Sequence, residues 1–356
     1  MRAAVLAPPP GLLLSVAVLA AAVLTGFLLV RAARRATRGR GRRRASDVFR
    51  LLGGRLAGQV GVRTLRDAVR DVEAEAFWDA TEAITTTLRH GERLELARSL
   101  GRNPHVATER RRLAEEDSVP RRELAARRLG MLPGGRSRRV LRRALVAGPE
   151  VVSFAAARSL AQHRDLQALR WLLEHPQALS RRPLPSLAGL LRAFGPAARA
   201  MLLAALERGL ADTRFECATL EALGVWRCRS AREAIQARLR GPQVELRVAA
   251  ARALGRLGMG EAIPGLILSL ADAAWPVRAI AAQSLGRLRA APAVEALVVC
   301  VSDPAWWVRR HAAYALAAIP GEGHDALCEL VARSPDRYAR EMAREALDFG
   351  TRQRFG

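Results

Sequence analysis

Leu246-Arg247-Val248-Ala249-Ala250-Ala251-Arg252-Ala253-Leu254-Gly255 returns, thirty-one positions on, as Val277-Arg278-Ala279-Ile280-Ala281-Ala282-Gln283-Ser284-Leu285-Gly286. It returns again at the same spacing as Val308-Arg309-Arg310-His311-Ala312-Ala313-Tyr314-Ala315-Leu316-Ala317, and more weakly from Ala339 to Leu347. A fixed period of this length marks one helical hairpin stacked repeatedly into a solenoid, because a single hairpin cannot bury its apolar face alone. A solenoid is a surface before it is a pocket, so the period favours binding over catalysis.

Within the best unit, Ile263, Leu266, Ile267 and Leu270 fall at i, i+3, i+4 and i+7 and predict one amphipathic helix. Val277, Ile280, Ala281, Ser284, Leu285 and Leu288 predict a second, separated from the first by Ala273-Ala274-Trp275-Pro276. The pairs Ala250/Ala251, Ala281/Ala282 and Ala312/Ala313 lie mid-helix, where neighbouring hairpins must approach closely. Gly255 and Gly286 are expected at the helix's end region, where glycine eases chain reversal.

Asp272-x4-Val277-Arg278 followed by Ala-Ala and Leu-Gly-x-Leu, and then Asp303-x4-Val308-Arg309, resembles the short HEAT repeats named after phycobilisome lyases. The match is good over about 243–349 and degenerate upstream. Anchored on the leucine, it traces back through Leu223, Phe194, Leu160, Leu129 and Leu100, which gives about eight or nine hairpins. The resemblance implies an all-α, right-handed α-solenoid of HEAT-like hairpins over 63–356. It also implies an internal ladder, in which an Asp at each inter-helix turn bonds the Arg of an adjacent unit. Asp272, Asp303, Arg247, Arg278, Arg309 and Arg340 match those roles, while Gly241 replaces an Asp and Glu216 replaces an Arg.

Gly11 to Val30 contains no charged residue and, at about 1.5 Å per residue, is long enough to cross a hydrocarbon core of about 30 Å. Residues 1–10 form a short tail before it. Arg31, Arg34, Arg35, Arg38, Arg40, Arg42, Arg43 and Arg44 follow as a stop-transfer cluster suited to anionic headgroups. Only Arg2 and the amino terminus are positive on the other side. The positive-inside rule therefore predicts a single-pass cell-membrane protein with its N-terminus outside and its repeats in the cytoplasm. Residues 31–62 read as a basic juxtamembrane segment and flexible linker, because Gly53, Gly54, Gly58 and Gly61 argue against a buried helix. Arg63 to Arg89 then reads as helical, anchored by Phe77 and Trp78.

The formal charge of +24 invites a nucleic-acid reading, yet the chain has no lysine: all 58 basic residues are arginine. That usage matches the codon bias of a GC-rich genome, so arginine's distribution informs more than its number. Residues 109–143 hold twelve arginines and five acids, whereas 322–356 hold six and seven. Arg110 to Arg112, Arg121, Arg122, Arg127, Arg128 and Arg136 to Arg143 are the residues a phosphate backbone would contact.

The four cysteines, Cys217, Cys228, Cys300 and Cys328, show no ligand spacing, and Cys217 and Cys300 fall on apolar helix positions. They predict free thiols rather than disulfides or zinc. A P-loop needs a lysine that is absent. The resemblance extends to deoxyhypusine hydroxylase, whose di-iron centre uses His-Glu pairs, but no histidine here precedes a glutamate. No residue matches a bilin-lyase role, and His90-x-Glu92 lacks the cysteines of a zinc deaminase. No catalytic residue, metal ligand or cofactor is predicted.

Trp275 and Trp306 occupy equivalent positions, with Trp307 beside the second, at the turn entering the second helix. They are the candidates for protein binding, because tryptophan is enriched among interface hot spots. The reading that results is a non-catalytic, membrane-tethered scaffold or adaptor whose solenoid binds a protein partner, an envelope enzyme being one candidate. The alternatives are nucleic-acid binding through the early arginines and, by family analogy, a lyase or oxidoreductase.

Overall fold

A computed structural model describes the backbone of residues 44–179 and 181–355 and the side chains through 349. The predicted tail, the span 11–30 and Arg31 to Arg43 lie outside the described residues. Among the described residues there is no β-strand, and no single helix is long and apolar enough to cross a membrane. Leu184–Ala193 with Pro196–Arg208 passes only as a pair bent by 101°. Leu187, Leu191, Leu202 and Leu206 on that pair are fully buried, as a hairpin's core face is. The chain divides into two compact units, one ending at Ser137 and the other beginning at Arg138.

The first unit begins with a helix where the sequence predicts a linker. Residues 44–56 are helical, although their glycines suggested a flexible link. Val48 and Leu52, one turn apart, are buried and hold the helix by its apolar side. The glycines act at its end: Gly58 takes φ 76° in the reversing turn, and the Gly54 carbonyl accepts from the N–H groups of Gln59 and Val60 at 2.8 and 3.1 Å. Arg44 is on this helix, exposed and 3.7 Å from Glu73.

Next come α1 (Val62–Ala68), α2 (Ala74–Thr85), α3 (His90–Leu100), α4 (Pro104–Glu115) and α5 (Val119–Met131). The stretch 63–89, expected to be helical with Phe77 and Trp78 as anchor, holds α1 and α2, and both aromatics are buried. Arg128, 6% exposed, donates to Glu109 at 3.0 Å and to Glu75 at 2.7 Å. A guanidinium so enclosed is stable only because both partners are in reach. Arg128 is thereby withdrawn from any phosphate-binding set.

Helix α6 (Gly135–Ala147) contains the boundary. The second unit continues with α7 (Glu150–Gln162), α8 (Leu166–Glu174), α9 (Leu184–Ala193), α10 (Arg199–Arg208), α11 (Thr213–Val225) and α12 (Arg232–Arg238). Then come α13 (Val244–Leu257), α14 (Ile263–Leu268), α15 (Trp275–Leu288), α16 (Val294–Cys300), α17 (Trp306–Ala318), α18 (Glu322–Arg333) and α19 (Arg337–Phe355). The odd-numbered helices form one layer, each packed on the next: α7, α9, α11, α13, α15, α17, α19. This unit is a helical solenoid, and the repeated anchors Leu160, Phe194, Leu223, Leu254, Leu285 and Leu316 are all fully buried.

In this unit the reversals after α7, α9, α11, α13, α15 and α17 each use a positive φ, at Arg164, Gly195, Arg227, Gly258, Arg289 and Gly321, a nearly constant interval. At Arg164, Arg227 and Arg289 this left-handed backbone turns two successive N–H groups onto the last carbonyls of the helix. Gly255 and Gly286, expected at this task, lie inside α13 and α15 instead. A Cβ on Gly286 would stand 2.6 Å from Ala315 Cα, and one on Gly255 would stand 2.9 Å from Ser284 Cα. These glycines let two helix backbones touch. Gly224 repeats the arrangement against Ala253 at 2.9 Å.

Cys217, Cys228 and Cys300 are buried free thiols and Cys328 is exposed. Burial raises the Cys217 and Cys300 thiols to about 11 each, so both are neutral small hydrophobes at physiological pH.

Candidate protein-binding ridge

Two successive inter-helix turns of the second unit begin with an aspartate. Asp272 and Asp303 follow their first helices, and each Oδ1 accepts the N–H two residues on, from Ala274 and Ala305, at 2.8 Å. This is the local bond that makes Asp a turn residue. The arginine three positions into the next helix then reaches back: Arg278 Nη1 donates to the carbonyls of Asp272 at 2.8 Å and Ala273 at 3.1 Å. Arg247, Arg309 and Arg340 make the same pair of bonds to the carbonyls five and six residues before them.

The free edge of the guanidinium bridges forward. Arg247 holds Asp272 through Nε at 2.7 Å and Nη2 at 2.9 Å, and Arg278 holds Asp303 at the same two distances. Burial disfavours both carboxylates, but the arginine bonds and the turn N–H groups outweigh it and hold them below their ordinary range. Farther back the rung runs with its charges exchanged: Glu216 accepts from Arg238 Nε at 2.6 Å. The substitution at Gly241 is covered by its own carbonyl, which accepts from Arg247.

The ladder loses its carboxylate at the last hairpin. The residue equivalent to Asp303 in the next repeat is Ser334, and Arg309 has no acidic partner among the described residues. Its Nε is buried without a hydrogen bond, and its guanidinium lies 5.4 Å from the Tyr338 ring centre. Ser334→Asp is expected to restore the rung and raise stability by about 1–2 kcal/mol, the scale of a charge-assisted hydrogen bond in a half-open site. Denaturant unfolding would register the gain, and Arg309→Gln in the same chain should remove it.

These clamped turns carry the tryptophans. Trp275 and Trp306 are the first residues of α15 and α17, 46% and 43% exposed, and Trp307 is 51% exposed. Trp306 meets Trp307 edge to face at 4.7 Å, Arg310 lies 5.5 Å from the Trp306 ring, and Trp307 stacks near His311. Tyr338, 61% exposed, extends the row onto α19. It stands one full period after Trp307, and that spacing was the signal available in the sequence. The outcome is a line of aromatic faces, about half open to solvent, on a rigid frame.

A second apolar feature was not legible from the helical face pattern. Leu268 and Val299, equivalent residues on the first helices of successive hairpins, are 70% and 74% exposed. Beside Leu268 a shallow apolar depression is lined by Ile263, Pro264 and Ile267. Among the described residues no group of three His, Cys, Asp or Glu side chains could hold a metal ion.

The family of these repeats is explicit in the sequence comparisons. Residues 263–348 match the HEAT repeats model, and residues 246–272 match the PBS lyase HEAT-like repeat model. The matched stretch includes the Arg247–Asp272 and Arg278–Asp303 rungs. No curated protein matches the sequence. Among solved structures, a mutant Kap121p is 12% identical, with 85% of this chain and 39% of that one covered and a TM-score of 0.49. Human deoxyhypusine hydroxylase is 17% identical over 88% of this chain and 97% of its own, with a TM-score of 0.30. The CpcE–CpcF complex of phycocyanin lyase from Nostoc sp. PCC7120 is 21% identical over 82% and 95%, with a TM-score of 0.28.

Proposed function

We propose that the protein is a non-catalytic, membrane-tethered scaffold or adaptor whose HEAT repeats capture a protein partner along the Trp275–Trp306–Trp307–Tyr338 ridge. The observation that carries this reading is the exposure of four large aromatic side chains on turns whose backbone is already fixed by the arginine bonds. Rigid aromatic anchors contribute binding area at low entropic cost. The apolar stretch 11–30 and the arginines after it supply the tether, with the repeats on the cytoplasmic side. Tethering raises the effective concentration of the solenoid near membrane-associated partners, a bacterial envelope enzyme being one.

Trp306→Ala is expected to weaken capture of the partner at least tenfold, the scale of a hot-spot truncation of more than about 1.4 kcal/mol. Crosslinking of detergent-extracted full-length protein measures the loss, and circular dichroism should show unchanged helicity. A collapse of helicity would mean that Trp306 serves its own hairpin instead.

A further inference from the structure

In the first unit, a cavity of about 330 Å³ lies between the end of α3, the middle of α4 and the start of α6. Arg98, Arg102, Arg110 and Arg136 line it, and none of its lining residues is acidic. Other early arginines are paired: Arg112 and Arg128 with Glu109, and Arg121 with Glu116. The four cavity arginines have no carboxylate partner among the described residues, and Arg110 bonds the Gly101 carbonyl at 3.2 Å. Burial first, and then the charge of Arg136, lowers the Arg110 guanidinium from its ordinary value. Like charges gathered in one concavity repel, so the arrangement favours an anion among them.

The floor of the cavity is equally suited to oxygen ligands. Ser137 is 3% exposed, lines the cavity and makes no side-chain hydrogen bond among the described residues. Gly134 and Gly135 precede it, and a Cβ on either would meet nothing within 4 Å. The thirteen-residue helix α6 begins there, so its first-turn N–H groups add to the positive field. A phosphodiester strand needs an extended track, whereas this site is a compact concavity of a size to hold one small group.

We propose that this cavity is a binding site for a phosphomonoester, with Arg98, Arg102, Arg110 and Arg136 neutralising its charge and the Ser137 hydroxyl donating to a phosphate oxygen. The inference is independent of the aromatic ridge. It separates the excess arginines into internal partners and a defined site, where the sequence offered only a basic region.

The test is calorimetric titration of the full chain in uncharged detergent micelles with inorganic phosphate and with glycerol 3-phosphate, at ionic strength fixed with chloride. Saturable one-to-one binding is expected. Arg110→Gln and Arg136→Gln should each weaken it at least tenfold, whereas Arg229→Gln, an exposed arginine of the second unit, should change it less than twofold. Gly134→Leu fills the cavity at constant charge and should weaken binding as strongly, with circular dichroism confirming the fold of each variant. Micelles doped with phosphatidic acid separate the two sources of the ester. If the lipid headgroup is the ligand, doping competes with the soluble ester where phosphatidylglycerol does not; if the ligand is soluble, doping has no effect.

The proposal is overturned if no saturation is seen above chloride. It is equally overturned if Arg229→Gln weakens binding as much as Arg110→Gln, or if Gly134→Leu binds normally. Tight binding of a single-stranded oligonucleotide that is lost in Arg110→Gln and unaffected by the esters would assign the cavity to nucleic acid instead.

Discussion

Gly286→Ala is expected to destabilise the protein by roughly 3 kcal/mol, although it exchanges a poor helix former for the best one. Helix propensity alone would favour alanine by about 1 kcal/mol. Against this, the new Cβ would lie 2.6 Å from Ala315 Cα and 2.8 Å from its Cβ. The first of these atoms is backbone, so no rotamer change relieves the clash and α17 must move off α15. Overpacking of this kind typically costs about 1–3 kcal/mol, and displacing a whole helix in a stack belongs at the upper end. Denaturant unfolding of the single variant measures the loss. A variant as stable as the parent would show that the odd-numbered layer is not in backbone contact. Ala317→Gly is the reciprocal control, because alanine already occupies the equivalent site on α17.

Asp303→Ala is expected to cost about 3 kcal/mol, and the cost should vanish in acid. The substitution removes both Arg278 bonds and the acceptor for the Ala305 N–H, leaving a guanidinium whose side chain is only 17% exposed. Breaking an enclosed pair costs about 3–5 kcal/mol, and the partial opening to water places this one at the lower end. The sign of the pH dependence follows from the folded carboxyl lying below its ordinary value. Such a group contributes its stability in full above the unfolded value of about 3.9 and loses it as pH falls through the folded value. The stability difference between parent and variant should therefore be constant from pH 8 to about 5 and shrink below about 4. A difference that persists at pH 2 would assign the loss to packing.

The two predictions mark what the sequence could and could not disclose. The fixed period exposed the repeat, the anchoring leucines and the Asp and Arg positions, because each is a choice made within one hairpin and then copied. The role of Gly255 and Gly286 was misread, since their partners Ser284 and Ala315 lie almost a full period away, on another helix. A glycine near a helix end is ordinarily a cap, and the caps here fall three residues later, at Gly258 and Arg289. The exchanged rung between Glu216 and Arg238 was hidden because its cation comes from a first helix. Residues 44–56 were misjudged because the glycines outweighed the two apolar residues, Val48 and Leu52, that bury the helix.

The candidate site was legible in part. Trp275, Trp306 and Trp307 were visible as a repeated position, while their exposure depends on the turn geometry that the rungs impose. Tyr338 was within reach of the same spacing. The first-helix pair Leu268 and Val299 breaks the expected face pattern and became apparent only as exposed surface. It provides the natural comparison for any claim about which side of the repeats binds.

That comparison supplies the most direct test. A photo-crosslinking amino acid is placed at Trp306 in one full-length protein and at Val299 in another, and both are irradiated in their native membranes. One specific protein adduct is expected from position 306, reduced by Trp275→Ala in the same chain, and no matching adduct from position 299. An adduct formed from position 299 and not from 306 would contradict the aromatic ridge as the binding surface.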